Sequence, residues 1–167
     1  MFDPTIYENV KVVLEGELYD RDLDGEITIA NRSDLVDLAT LSRTYIVSFE
    51  ENSTVLSTIN LHASLESFSA EQLELDHIMP GCELKLCFDL TMSKESKCDE
   101  IYKIIKEIWG DRPYVNQTLS YKYRQEATIT NRVELEFNRK INEDQISDLT
   151  TIVDYTIRTA AELSTIK

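Results

Sequence analysis

Asp20, Asp22, Asp24 and Glu26 form the densest acidic cluster of the 167-residue chain. Oxygen donors at alternate positions around a bend suit a hard divalent cation, which gathers about six to eight such ligands. On an open surface the same cluster would draw in a basic partner. A second constellation is Trp109-Gly-Asp-Arg112-Pro-Tyr114. Aromatic residues and Arg concentrate in binding hot spots, so Trp109, Arg112 and Tyr114 are candidate partner-binding residues; the competing reading is a helix stop with Trp109 in the core. His77, Cys82, Cys87 and Cys98 could be drawn as a zinc quartet, but a strand puts Cys82 and Cys87 on opposite faces, and Cys98 belongs to a separate helix. His62 and His77 are the only histidines, and neither lies in a catalytic motif. Four glycines, all scattered, write no phosphate loop.

The run Asp20-Arg-Asp22-Leu-Asp24-Gly25-Glu26-Ile27-Thr28 resembles the first nine positions of an EF-hand calcium loop. The resemblance implies ligands at Asp20, Asp22, Asp24 and Glu26, a bend at Gly25 and an apolar anchor at Ile27. It stops at the twelfth position, where Asn31 replaces the acidic residue that would complete the shell, and the approach Val10-Lys-Val-Val-Leu14 reads as a strand. An Asp-Gly hairpin tip accounts for the same residues without a cation. No cofactor is expected.

Charge decides which partners are plausible. The chain holds 31 acidic and 17 basic residues, a net charge of −14, and residues 1–100 carry 21 of the acids against 7 bases. Such a surface repels nucleic acid, whose binding rests on clustered Lys and Arg, and disfavours anionic lipid. Tyr121-Lys-Tyr123-Arg124 mixes aromatics with bases, but a half-buried sheet face explains it better than base stacking. The amino terminus, Met1-Phe2-Asp3-Pro4, lacks a secretory pattern, no apolar run is long enough for a membrane helix, and the odd cysteine count suits a reducing interior, so a cytoplasmic protein is expected. The leading functional expectation is a non-enzymatic acidic module, inhibitor-like, antitoxin-like or chaperone-like, that engages a basic protein surface. The alternatives are an enzyme built from dispersed acidic, Tyr and His residues, and a calcium-responsive protein using the Asp20–Glu26 run.

Elements to position these groups follow from periodicity. Val10, Val12, Leu14 and Leu18 at even positions, resumed by Ile27 and Ile29 after Asp24-Gly25, predict a hairpin over residues 10–31. Leu35 to Leu41 suit a short helix, with an irregular strand as the competing reading. Tyr45, Val47, Phe49 and Val55, Ile59, Leu61 predict a second hairpin around Glu51-Asn52-Ser53. Ser69 precedes a short helix over 70–76, stopped by Pro80-Gly81. Leu84 to Met92 alternate as a strand. A helix near 94–109 follows behind Ser93, with Gly110 closing it. Residues 115–137 keep one parity, which asks for two strands around an odd loop near 124–126 or 130–132. Asn142 to Gln145 read as a capping box opening a helix near 143–164. The fold class is therefore α+β, with a mostly antiparallel sheet of about six to seven strands in a single compact unit. Residues 26–35 and 126–135 share Glu, Thr, Ile, Asn, Arg and Leu at equal offsets, so two β-α-β-β-α halves, about 1–80 and 81–167, are one option. The apolar stripe of the last helix makes a homodimer another.

Overall fold

The computed structural model describes residues 5–125 and 128–166. Met1–Pro4 at the start, and Glu126 and Ala127 in the expected turn and repeat, lie outside the described residues.

The first element departs from expectation. Ile6–Leu23 is a helix, α1, not a strand, with Thr5 at its N-cap accepting a hydrogen bond from the backbone N–H of Glu8. Val10, Leu14 and Leu18 fit both a two-residue and a roughly four-residue repeat; Tyr7 and Val12 break the tie. Tyr7 is buried with those three, whereas Val12 is 61% exposed. Asp24-Gly25 ends this helix instead of turning a hairpin. Gly25, at φ 77°, donates to Asp22 O at 3.1 Å, and Glu26 donates to Arg21 O at 2.9 Å. That pair of bonds is the Schellman stop, which demands positive φ just as a tight hairpin does.

Strands β1 (Thr28–Asp37), β2 (Ser42–Glu50) and β3 (Val55–Ala63) follow, then helix α2 (Leu65–Gln72). Residues 35–37 thus end a strand, so the first half runs α-β-β-β-α where β-α-β-β-α was considered. Helix α2 starts earlier than Ser69 implies, because Ser64 supplies the N-cap and accepts from Ser67 N–H at 3.2 Å. The second half holds β4 (Cys82–Met92), α3 (Lys97–Trp109), β5 (Pro113–Ser120), β6 (Ile129–Ile141) and α4 (Asp148–Leu163). A single 3-10 turn at Glu143–Gln145 precedes α4, closed by the expected capping box between Asn142 and Gln145. Strands β5 and β6 pair with preserved parity, Val115 opposite Leu135 and Leu119 opposite Asn131, about a connection centred on Gln125.

All six strands join one antiparallel sheet in the order β1-β2-β3-β4-β6-β5. Register aligns Val47, Ile59, Leu86 and Leu135 in one row across four strands, each fully buried. Helices α1, α4 and α3 pack on that face, where Leu14, Ile101, Ile105, Leu149 and Val153 complete the core. The opposite face carries the row Ser48, Thr58, Cys87, Glu134 and Asn116. Polar side chains there bond to one another across strands: Lys85 to Glu134 and Glu136 at 2.7 and 3.1 Å, Arg132 to Asp89 at 2.8 Å. Among the described residues, no helix is long and apolar enough to cross a membrane.

One irregularity matters for function. Lys85 pairs with Glu136 but Glu83 pairs with Lys140, so β6 passes three residues, Phe137, Asn138 and Arg139, opposite Leu84 alone. A bulge of this kind takes side chains out of the ladder and re-aims them.

Candidate functional site

The acidic cluster sits at the end of α1 and does not form a loop around a centre. Asp20 and Asp22 are helical, two residues and hence about 200° apart around the axis, and Asp24 caps the helix. The carboxylate of Glu26 accepts from Arg21 at 2.9 Å, and Arg21 also bonds Asp154 on α4. Among the described residues no group of three or more His, Cys, Asp or Glu side chains is placed to hold a metal ion. Where the calcium-loop resemblance implies a loop, Asp20 and Asp22 thus lie on α1.

The cysteines are separate as well. Burial pushes the Cys82 thiol up to about 12, with Glu71 adding to the shift. Cys87 and Cys98 are raised by burial and then by neighbouring acids, Glu134 for the first and Asp99 for the second. These thiols stay protonated at neutral pH, the inert form.

Trp109, Arg112 and Tyr114 part company. Trp109 is buried, contrary to an interface role, because its indole packs against Phe137 and Tyr155 with both ring centroids at 5.4 Å. Its N–H donates to Thr159 Oγ1 at 2.9 Å, which satisfies the one polar atom of the ring inside the protein. Arg112 is exposed at the rim of a cavity of about 690 Å³ that Trp109, Phe137 and Tyr155 also line. Tyr114, 71% exposed, borders a wider cleft of about 1110 Å³ that also holds His62, His77, Lys85 and Glu136. The two spaces share Leu84, Phe137, Asn138 and Arg139, the bulge and the residue opposite it. In the wider cleft His62 is tied to Thr44 Oγ1 through Nδ1 at 2.9 Å.

Tyr121 and Tyr123 lie beyond the end of β5, 79% and 80% exposed, and not on a half-buried strand face.

A surface that periodicity misses lies at one end of the sheet. Leu35, Val36, Leu38 and Leu41 are exposed on the β1–β2 hairpin. Leu65, Phe68, Leu73 and Met79 are exposed on α2 and the segment after it. Register brings these segments to the same end of the sheet, with Leu35 and Val36 on opposite faces: Asp37 faces Ser42 across the hairpin tip, Arg43 faces Ala63 at the end of β3, and α2 begins two residues later. Exposed Asp37, Glu66, Glu74, Asp76 and Glu83 belong to the same end. The only base from Ser33 to Leu84 is Arg43, and it is engaged by Glu8 at 3.1 Å and Asp34 at 3.0 Å. The signal that could have exposed this surface is the run Leu35-Val-Asp-Leu-Ala-Thr-Leu41, apolar yet too short and too close to a turn to be covered.

No family model, curated protein or solved structure compared with the chain matches it.

Proposed function

We propose that this chain is a non-enzymatic protein-binding domain, chaperone-like or inhibitor-like, which engages a partner segment carrying both basic and apolar side chains. The observation that supports the reading is the acidic, apolar end of the sheet. Eight large hydrophobic side chains stand exposed on one hairpin, one short helix and the segment after it, among carboxylates and beside a single, already paired base. Exposed apolar surface on the order of several hundred Å² marks an interaction site in a water-exposed domain. The division of labour is physical: apolar burial supplies affinity, and the carboxylates accelerate encounter and reject acidic competitors.

The test uses three fluorescent peptides of equal length: Leu and Lys mixed, Ser and Lys mixed, and Leu and Glu mixed. The Leu/Lys peptide binds, the Leu/Glu peptide does not, and the Ser/Lys peptide binds at least about ten-fold more weakly, a difference of about 1.4 kcal/mol. Raising salt weakens the Leu/Lys complex through its association rate. Leu38→Lys with Leu73→Lys, at exposed positions that leave the core intact, removes the preference. Equal binding of the Leu/Lys and Ser/Lys peptides would reduce the surface to bulk charge and defeat the proposal.

A further inference from the structure

We infer that the cavity between α3, α4 and the β6 bulge is a binding site for a small amphipathic carboxylate, an alkyl or aryl body carrying one anionic head. Its volume of about 690 Å³ falls within the range of small-molecule sites. Its apolar lining is mostly aromatic and aliphatic. Trp109, Phe137 and Tyr155 line it, and because the indole N–H is spent on Thr159, the Trp side chain offers the cavity only apolar surface. Such walls take a hydrocarbon body and release the water that wets them.

The rim is charged with the opposite sign to the chain. Arg112 and Arg139 both line the cavity, with one acid, Asp148. Arg139 reaches Asp148 only at 3.5 Å, where both side chains are about half exposed. Among the described residues, Arg112 has no carboxylate within ion-pair distance. Two guanidiniums against one acid leave a local positive excess in a protein of net charge −14. A guanidinium matches a carboxylate through two parallel N–H···O bonds, which a lysine could not offer. The bulge explains why this rim exists. Regular pairing would hold residues 137–139 in the ladder with β4; Phe137 stays paired with Pro113 of β5, and the extra residues bring Arg139 to the same mouth as Arg112, which follows α3. The site uses none of the exposed hydrophobic residues of the acidic end and stands independently of the proposed partner surface.

Trp109 is the only tryptophan in the chain, so its emission reports occupancy directly. The probes are decanoate, decanol and decyltrimethylammonium, each below its aggregation concentration, titrated into the intact protein. Decanoate produces a saturable change in Trp109 emission with one equivalent bound per chain. Decanol binds about ten-fold more weakly and the cation more weakly still. In the Arg112→Gln, Arg139→Gln double variant, both substitutions being at the surface, decanoate affinity falls to that of decanol while decanol affinity is unchanged. Equal affinities for decanoate and decanol in the native protein, decanoate binding that the double variant leaves intact, or no saturable change would each overturn the assignment.

Discussion

Removing the Asp34 carboxylate should loosen the first edge of the sheet. Strand β1 has no buried side chain, and only Ile29 and Ser33 are half-buried. Beyond its ladder with β2, β1 is tied to α1 by Arg32, which donates to Tyr19 Oη and lies over its ring, and by the carboxylate of Asp34. That carboxylate accepts from Tyr7 Oη at 2.9 Å and Lys11 Nζ at 2.8 Å on α1, and from Arg43 Nη2 at 3.0 Å on β2. One side chain therefore joins three elements. It is 30% exposed, so each bond counts for a partly solvated one, about 0.5–1 kcal/mol, and three give about 2 kcal/mol. For a chain of this size that corresponds to a melting temperature lower by roughly 4–8 °C. Asp34→Ala also leaves Glu8 as the one carboxylate on the guanidinium of Arg43, whose Nε is buried without a partner.

Two readouts separate a local from a global effect. Urea unfolding followed by Trp109 emission reads the core beside α4, far along the sheet order from β1. Amide hydrogen exchange reads β1 itself. Asp34→Ala should speed exchange across 28–37 by at least as much as it lowers global stability. pH gives a further check. Burial alone would raise the Asp34 carboxyl, but the bonds from Lys11 and Tyr7 and the charge of Arg43 outweigh it and hold the group below the usual carboxylate range. Its contribution is thus present at neutral pH and disappears as pH falls through the lowered folded value. Wild type and Asp34→Asn, well separated at pH 7, should converge in stability at strongly acid pH. If β1 exchange is unchanged in Asp34→Ala and global stability lies within about 0.5 kcal/mol of wild type, the carboxylate does not hold the edge, and the account of how α1 docks fails.

Three further outcomes are expected. Trp109→Phe loses the indole bond to Thr159 and leaves a gap against Phe137 and Tyr155, costing about 2–3 kcal/mol by denaturant unfolding followed by circular dichroism; a cost under about 0.5 kcal/mol would remove Trp109 from the core. Gly81→Ala should destabilise by about 1–3 kcal/mol, since the added Cβ would lie 2.9 Å from Ile141 O and 3.0 Å from Lys140 Cβ; an unchanged melting temperature would mean the β4 and β6 ends do not meet there. In thiol labelling at pH 8, Cys82 should react only as the protein unfolds, behind the less buried Cys98, and equal labelling rates would contradict its burial.

The readable parts of the fold are those where one period excludes the other. Leu84 to Met92 alternate without a helical competitor, and Ile101, Ile105 and Ile108 recur too sparsely for a strand, so β4 and α3 follow from sequence. The misread parts are degenerate. Val10, Leu14 and Leu18 satisfy both periods, and Asp24-Gly25 serves a helix stop as well as a hairpin because both need the same positive φ. The capping pair Thr5 and Glu8 carried the deciding information, one turn before the ambiguous run.

The candidate sites show a deeper limit on pattern reading. Charge is additive along a chain, so the acidic excess of the first hundred residues is legible by counting. Coverage is not additive. Leu35 looks like a core residue until the sheet order makes β1 an edge with no further strand beside it among the described residues, and Trp109 looks like a hot spot until β6 and α4 bring Phe137 and Tyr155 against it. Whether an apolar side chain becomes core or contact surface depends on which strand is last, a property of the whole sheet that no local window contains. The same holds for Arg112 and Arg139. They lie far apart in sequence, and only a bulge two residues longer than the ladder requires brings them to one rim.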